Sequence, residues 1–321
     1  MSACSVAVII VTRNSAHCLA VCLASTLASD YGSLRVVVVD NASTDATRSL
    51  LESRFPTVEL VSLSVYLGFA AANNIGLRRV VDTSEYVFLV NPDTRMPPSL
   101  VRNLVELMQC VPNIGVVGPL QYEYSQDGPH CAGQPNAWSR YMLERLGEHE
   151  FVDQVPELSG YGDALPDDDG LTDVAFIQGS ALFLRLCTLA RTGLFDETFF
   201  CFYEELDLCR RTRWAGYRVC LAVDLGIEHL GGASTNADFL RVRLMMRNRY
   251  YYALTDPRLD WQVLRILLIK FAREDLGLRR SRRPARLLAF GLSCAWLLIS
   301  MPKLLANRAA YGMLAGTAQR N

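Results

Sequence analysis

The feature that most constrains this chain is an alternation of two periodicities. Val6–Val11, Arg35–Val39, Val58–Ser62, Tyr86–Val90 and Ile114–Val117 are short runs rich in Val and Ile. Near-continuous apolar runs of this length predict strands of a sheet covered on both faces. Between them, Ala16–Leu27, Ala46–Arg54, Ala70–Val81 and Ser99–Cys110 carry apolar residues at helical spacing, with helix-start residues at Ser43 to Asp45 and at Pro98–Ser99. Strand–helix alternation predicts βαβ units and a mostly parallel central sheet flanked by helices, with ligands at the carboxyl ends of the strands.

The pattern dissolves from about Gln121 to Asp173, which reads as a long irregular insertion holding the acidic run Asp167–Asp169. That run reads as a solvated acidic loop, with cation binding as the alternative. Order returns at Val174–Leu184, then Phe195–Arg213 reads as helix and Tyr217–Val223 as strand. From about residue 237 the chain is helical and basic. Two units are therefore expected: an α/β unit over 1–236, divided into halves 1–95 and 96–236, and a basic amphipathic helical extension over 237–321.

Charge follows the same division. The 321 residues have a formal net charge of −1, but residues 262–321 hold 11 Lys and Arg against Glu274 and Asp275, which is +9 and leaves −10 for residues 1–261. Basic clusters such as Arg279-Arg280-Ser281-Arg282-Arg283 favour an anionic lipid surface, with a packing or homodimer face as the alternative. Leu287–Met301 is apolar but roughly 23 Å long as a helix, short of the ~30 Å of a bilayer core. Nucleic acid is not an expected partner, because the body is acidic and no aromatic platform accompanies the arginines. The ten cysteines form no CxxC and several lie within apolar stretches, which predicts reduced thiols in a cytoplasmic setting. The apolar start has no basic region before it and runs into Arg13, so it is expected to be a first strand rather than a leader.

Polar motifs stand at the predicted strand ends. Ile10-Val-Thr-Arg-Asn14 ends the first strand, and Val36-Val-Val-Val-Asp-Asn-Ala-Ser-Thr-Asp45 delivers Asp40 and Asn41 before a helix. A carboxylate at Asp40 can accept hydrogen bonds from a base or ribose, or simply cap a turn. Gly68-Phe-Ala-Ala-Ala-Asn-Asn-Ile-Gly76 offers small residues and a helix start that suits a diphosphate, or else simply the Ala-rich start of a core helix. Phe88-Leu-Val-Asn-Pro-Asp-Thr94 presents Asn91 and Asp93, oxygen ligands of the kind that hold Mg²⁺ or Mn²⁺, or else an Asn-Pro-Asp turn. Glu204, Glu205 and Asp207 crowd one helix start, where mutual repulsion raises a carboxyl toward the range of a general base. His229 follows in a polar, Gly-rich stretch and reads as a metal or phosphate contact, with a purely structural histidine as the alternative.

Taken in order, Val-Asp-Asn-Ala-Ser-Thr-Asp, Gly-Phe-Ala-Ala-Ala-Asn-Asn-x-Gly, Asn-Pro-Asp-Thr, Gly-x-Phe-Asp-Glu-x-Phe-Phe and His-x-Gly-Gly-Ala-Ser resemble the family 2 glycosyltransferases over about residues 5–235. The likeness is to the rhamnosyltransferase-type branch that builds bacterial surface polysaccharides. The resemblance implies a GT-A fold and an inverting transfer from a nucleotide-diphosphate sugar, with dTDP-rhamnose leading, to a glycan or polyprenyl-linked acceptor. It also implies a divalent cation. By position, Thr12, Asn14, Asp40 and Asn41 would face the nucleotide, with Gly68, Asn74 and Asn91 also on the donor. Asp93 would hold the cation, His229 would stand at its metal or phosphate end, and Glu205 would be the base, with Glu204 or Asp207 as alternates.

The sequence departs from the family pattern at three places. Tyr66 stands where the family usually has Asn, Asn91 replaces the first Asp of the metal motif, and the base pair reads Glu-Glu rather than Glu-Asp. The last departure leaves a second expectation open, a catalytically weak nucleotide-sugar-binding scaffold in the same pathway. A sugar-1-phosphate nucleotidyltransferase is disfavoured, because residues 8–16 lack a Gly-rich basic loop for a triphosphate. Attachment through the extension predicts a peripheral position at the inner face of the cell membrane.

Overall fold

The computed structural model describes residues 4–123, 170–229, 239–277 and 283–318. Most of the irregular stretch, including Asp167–Asp169, lies outside the described residues, as do Arg279–Arg282 and Gly231–Ser234. Among the described residues nine strands form one sheet in the order β3-β2-β1-β4-β8-β6-β9-β5, with β7 paired to β9. Its first half consists of β1 (Val6–Thr12), β2 (Leu34–Asp40), β3 (Glu59–Ser62) and β4 (Tyr86–Val90), all parallel. β8 (Ala181–Arg185) runs antiparallel between β4 and β6 (Ile114–Glu123), so the second half is mixed. β6 pairs in parallel with β9 (Arg218–His229), and the two-residue β5 (Thr94–Arg95) and β7 (Leu171–Asp173) pair with β9 antiparallel.

The strands are apolar along their length because each face meets helices. On β1, Val6, Val8 and Ile10 join one core with α1 (Leu19–Leu27), α2 (Thr47–Arg54) and α4 (Leu100–Cys110), while Ala7 and Ile9 join the opposite core with α3 (Gly68–Val80). α4 shows how the sequence specifies this: Leu100, Val101, Leu104, Val105 and Met108 recur on one face and all are buried. Each such side chain contributes about 1.5–3 kcal/mol on burial. The strand order switches at β1, with β2 on one side and β4 on the other, which is the point at which open α/β sheets place ligands beyond the carboxyl ends of the strands.

The expected continuous helix over Phe195–Arg213 is broken. After the short α5 (Leu189–Thr192), a 3₁₀ turn spans Glu197–Phe199, and Phe200, Phe202 and Tyr203 adopt left-handed backbone at φ 67°, 71° and 74° before α6 (Glu204–Trp214) begins. Carbonyls in this segment bond to other elements instead of along a helix, which is why helix-period reading fails here. β9 also runs past the expected Val223 to His229, because β6, β5 and β7 all pair along its length.

The C-terminal region forms α7 (Phe239–Thr255), α8 (Trp261–Gly277), α9 (Arg283–Ile299) and α10 (Met301–Ala318). A third apolar core joins Tyr250, Tyr251, Leu264, Leu267, Phe271 and Leu304 to Phe199 of the α/β unit. Tyr311 of α10 donates to Asp207 at 3.3 Å, and Asn307 donates to Asp196 at 2.7 Å. The extension is thus packed directly against the elements that carry the glutamate pair.

Candidate active site

Thr12 and Asp40 are register partners at the ends of β1 and β2, and the Asn41 N–H donates to the Thr12 carbonyl at 2.8 Å. Thr12 is buried and its hydroxyl has no hydrogen-bond partner. A buried polar atom left unpaired is costly and is the kind of group a ligand satisfies. Asn14, at φ 53°, accepts from the Thr44 N–H at 2.8 Å while its own N–H donates to Ser43, tying the β1 and β2 loops together. Asp40 is fully buried, accepts from the Ser43 N–H at 3.1 Å and is covered by Arg48 at 3.2 Å. The turn-capping reading of Asp40 therefore describes its geometry here.

The start of α3 differs from the expected diphosphate cradle. The Phe69 and Ala70 N–H groups donate to the Phe200 carbonyl at 2.6 and 3.2 Å, so these donors are already used. Gly68, at φ 82°, is needed because a Cβ there would lie 2.5 Å from that carbonyl. Asn41 locks the same corner, donating to Gly68 O at 2.9 Å and accepting from the Leu67 N–H at 3.0 Å. Asn74 packs against the 195–197 segment. It is buried, donates to Phe195 O and Glu197, and accepts from the Phe195 N–H. These small and amide residues build the junction between α3 and the 195–200 segment.

Beyond β4, the Thr94 hydroxyl donates to the Asn91 carbonyl at 2.9 Å and closes the Asn-Pro-Asp turn. The β5–β9 pairing sets Thr94 opposite His229 and brings His229 Nε2 to 3.2 Å from Asp93 Oδ1. That carboxylate oxygen is buried and has no hydrogen-bond partner. An unsatisfied carboxylate oxygen beside an imidazole nitrogen fits a divalent cation whose remaining positions are filled by phosphate and water. Among the described residues no group of three or more His, Cys, Asp or Glu gathers to hold a metal by itself.

Glu204 and Glu205 open α6 directly after the left-handed residues. Such non-glycine conformations cost about 1–3 kcal/mol each and persist only where surrounding contacts fix them. Glu204 is 4 % exposed. Burial, and then the charge of Glu205, push its carboxyl well above the ordinary range. Burial raises the Glu205 carboxyl from 4.5 to about 7. One buried oxygen of each carboxyl has no hydrogen-bond partner. Asp207, the other alternate, is paired differently. It is fully buried and held by Arg210 at 2.7 Å and Arg211 at 2.8 Å, an ion pair that fixes the helix.

The two sides of the site meet through residues 178–180. The Asn91 N–H donates to Ser180 O, and a Cβ on Gly179 would lie 3.3 Å from the Phe69 ring and 3.9 Å from Glu205 Cβ. Sequence reading missed this loop and the unpaired buried Oε1 of Gln178. It also missed Arg13, whose guanidinium stacks 3.8 Å from the centre of the Tyr66 ring. Tyr66 in turn meets Phe200 edge-on at 5.1 Å. A Gly-Ser step between two strand patterns was the available signal for 178–180. Nothing local signalled the Arg13–Tyr66 contact, since its partners are 53 positions apart in the chain.

A parallel βαβ half ending in polar loops, joined to a mixed half that carries the glutamate pair, is the arrangement of the GT-A fold. A mannosyltransferase from Pyrobaculum calidifontis, solved with GDP-mannose and Mn²⁺, aligns over 98 % of this chain and 87 % of its own, with TM-score 0.55 and 18 % identity. The S. aureus TarS 1–349 structure with UDP-GlcNAc aligns over 98 % and 92 %, with TM-score 0.57 and 16 % identity. In sequence, the chain is 25 % identical over 252 residues to the N-acetylglucosaminyl-diphospho-decaprenol L-rhamnosyltransferase of Mycobacterium tuberculosis, covering 74 % of this chain and 80 % of the relative. The model of glycosyl transferase family 2 matches residues 7–162, and that of glycosyl transferase family group 2 matches residues 86–318. The chain belongs to the family 2 glycosyltransferases, in their rhamnosyltransferase-like branch.

Proposed function

We propose that this protein moves a sugar, with rhamnose from dTDP-rhamnose the leading donor, onto a polyprenyl-linked or glycan acceptor with inversion at the anomeric carbon, in bacterial surface polysaccharide synthesis. The observation that carries this reading is Glu205: a carboxyl raised by burial to about 7, with an unpaired oxygen, beside the 178–180 loop that abuts the β4 end. A base with that proton affinity is ionised in part at neutral pH and strong enough to take a hydroxyl proton in the transition state. Glu205 accepts the proton of the acceptor hydroxyl as that oxygen attacks C1 from the face opposite the nucleotide. Thr12 and the carboxyl ends of β1 and β4 receive the nucleotide. Asp93 and His229 would hold Mg²⁺ or Mn²⁺, which when bound neutralises charge on the leaving diphosphate. The Mycobacterium relative's lipid-linked substrate and the Mn²⁺ of the Pyrobaculum structure support the acceptor and metal classes.

Attachment to the inner face of the cell membrane belongs to the same reading. Among the described residues no single helix is long and apolar enough to cross a membrane, whereas the pair Pro284–Ile299 and Met301–Gly316, bent by 68°, passes that test together. Leu287, Leu288, Leu292, Leu298 and Ile299 are exposed along α9, flanked by the arginine cluster and Lys303. An uncharged exposed stripe with basic ends suits an anionic lipid surface.

Transfer from dTDP-L-rhamnose to a polyprenyl-diphospho-N-acetylglucosamine tests the activity, with nucleotide-sugars bearing UDP and GDP run beside it. Product with none of them would refute the enzymatic reading. Vesicle flotation with anionic and neutral lipid tests the attachment. Leu288→Glu with Leu298→Glu is expected to abolish flotation, and equal flotation would remove α9 as the contact face.

A further inference from the structure

The segment before the glutamate pair holds a backbone that its own sequence does not favour, and two residues of the C-terminal extension grip it. Asn248 of α7 is 0 % exposed, and its amide nitrogen lies 2.9, 2.8 and 2.7 Å from the carbonyl oxygens of Phe199, Cys201 and Phe202. Its carbonyl oxygen accepts from Arg247 Nε at 2.8 Å. Arg247, 6 % exposed, donates onward to Thr198 O at 3.0 Å and to Phe199 O, and its guanidinium faces the Trp296 ring at 4.2 Å. The two side chains form one donor array that spans four of the five carbonyls from Thr198 to Phe202. Within or next to this span stand the left-handed residues Phe200, Phe202 and Tyr203.

The gripped segment has two outputs. The Phe200 carbonyl caps α3 through Phe69 and Ala70, and Phe69 is the ring against Gly179. Tyr203 accepts the Asp207 N–H and so starts α6, which places Glu204 and Glu205 on the helix's first turn. A shift of the 198–203 backbone therefore moves the cap of α3 and the base together. The amide and guanidinium need no contact with substrate to have this effect.

We infer that Arg247 and Asn248 are positioning residues of the transferase, a clamp by which the C-terminal extension sets the register of Glu205 against the 178–180 loop. The inference rests on the proposal that Glu205 is the base. It assigns the extension a part in turnover that is separate from any contact with lipid, because both clamp residues are buried.

Asn248→Asp keeps the side-chain shape and removes the amide donors. At a temperature where the variant is folded, transfer from dTDP-L-rhamnose is expected to lose at least about 100-fold in kcat. The donor KM should stay within about threefold, and the pH at which kcat rises should shift. Arg308→Ala is the control for mere loosening of the extension, since Arg308 holds the Leu254, Asp256 and Leu259 carbonyls rather than those of the 198–203 segment. It should lower Tm while leaving kcat and its pH profile in place. Should Asn248→Asp fail to fold, Arg247→Lys, which keeps the charge but loses the fork, is expected to lose about tenfold in kcat at constant donor KM. A kcat loss in the clamp variants no larger than that of Arg308→Ala, with an unmoved pH profile, overturns the inference. Glu205→Gln is run alongside: retained turnover there defeats the base assignment, whereas lost turnover there with normal clamp variants defeats the clamp alone.

Discussion

Replacing Glu205 by Gln should make the enzyme slower and, above neutral pH, more stable, with a pH dependence that follows from one buried carboxyl. In the folded protein burial raises that carboxyl from its ordinary 4.5 to about 7. Below pH 4.5 both folded and unfolded chains carry the proton, so the residue contributes no pH-dependent difference. Between 4.5 and 7 the unfolded chain releases its proton first, and the wild type loses stability as pH rises; above 7 the loss is complete. At about 1.4 kcal/mol per tenfold in proton affinity the full loss is about 3 kcal/mol. That is a ceiling, because Glu204 shares the same buried charge. Gln keeps the shape without the titration, so its Tm should match wild type near pH 4 and exceed it by several degrees at pH 8. Turnover should fall by 10²–10⁴-fold with nucleotide binding retained. Thermal melts from pH 4 to 9 beside transfer kinetics provide the assay. A Tm difference that is flat with pH, or turnover equal to wild type, would refute the reasoning.

Wild-type kcat should rise with pH through an apparent value near 7 as the base ionises, measured with saturating donor and acceptor; a flat profile would exclude Glu205 as the titrating group. Asp93→Ala should abolish the Mn²⁺ dependence of nucleotide-diphosphate binding in a thermal-shift titration while leaving the metal-free Tm near wild type, and an unchanged Mn²⁺ response would count against that site. Asp207→Asn leaves Arg210 and Arg211 without a counter-charge and should cost about 3–5 kcal/mol in denaturant unfolding; a loss under 1 kcal/mol would show the pair to be dispensable. Gly68→Ala sets a Cβ 2.5 Å from the Phe200 carbonyl at φ 82°, so Tm and kcat should fall together.

Much of the scaffold is legible in the sequence. Val6–Val11 and Tyr86–Val90 read as strands because burial on both faces makes apolar residues continuous, and α4 reads as a helix because its buried face repeats at helical spacing. The same reading gives a wrong helix over Phe195–Arg213. Period-based inference assumes that backbone groups pair locally, and there the Phe200 carbonyl pairs with α3 while Phe199, Cys201 and Phe202 pair with Asn248.

Local sequence by itself determined the chemical types at the strand ends: a hydroxyl at 12, carboxylates at 40, 93, 204, 205 and 207, and an imidazole at 229. These follow from residue identity and from spacing within single elements, which is all that local sequence encodes. Tertiary structure decided which of them are free to act. It turned Asn41, Gly68 and Asn74 into the α3 junction, neutralised Asp207 with two arginines, and brought His229 to Asp93 across β5 and β9. It also buried Glu204 and half-buried Glu205 beside it, behind a backbone gripped from α7. Proton affinity and pairing depend on burial and on neighbours distant in the chain, and only the folded packing sets those.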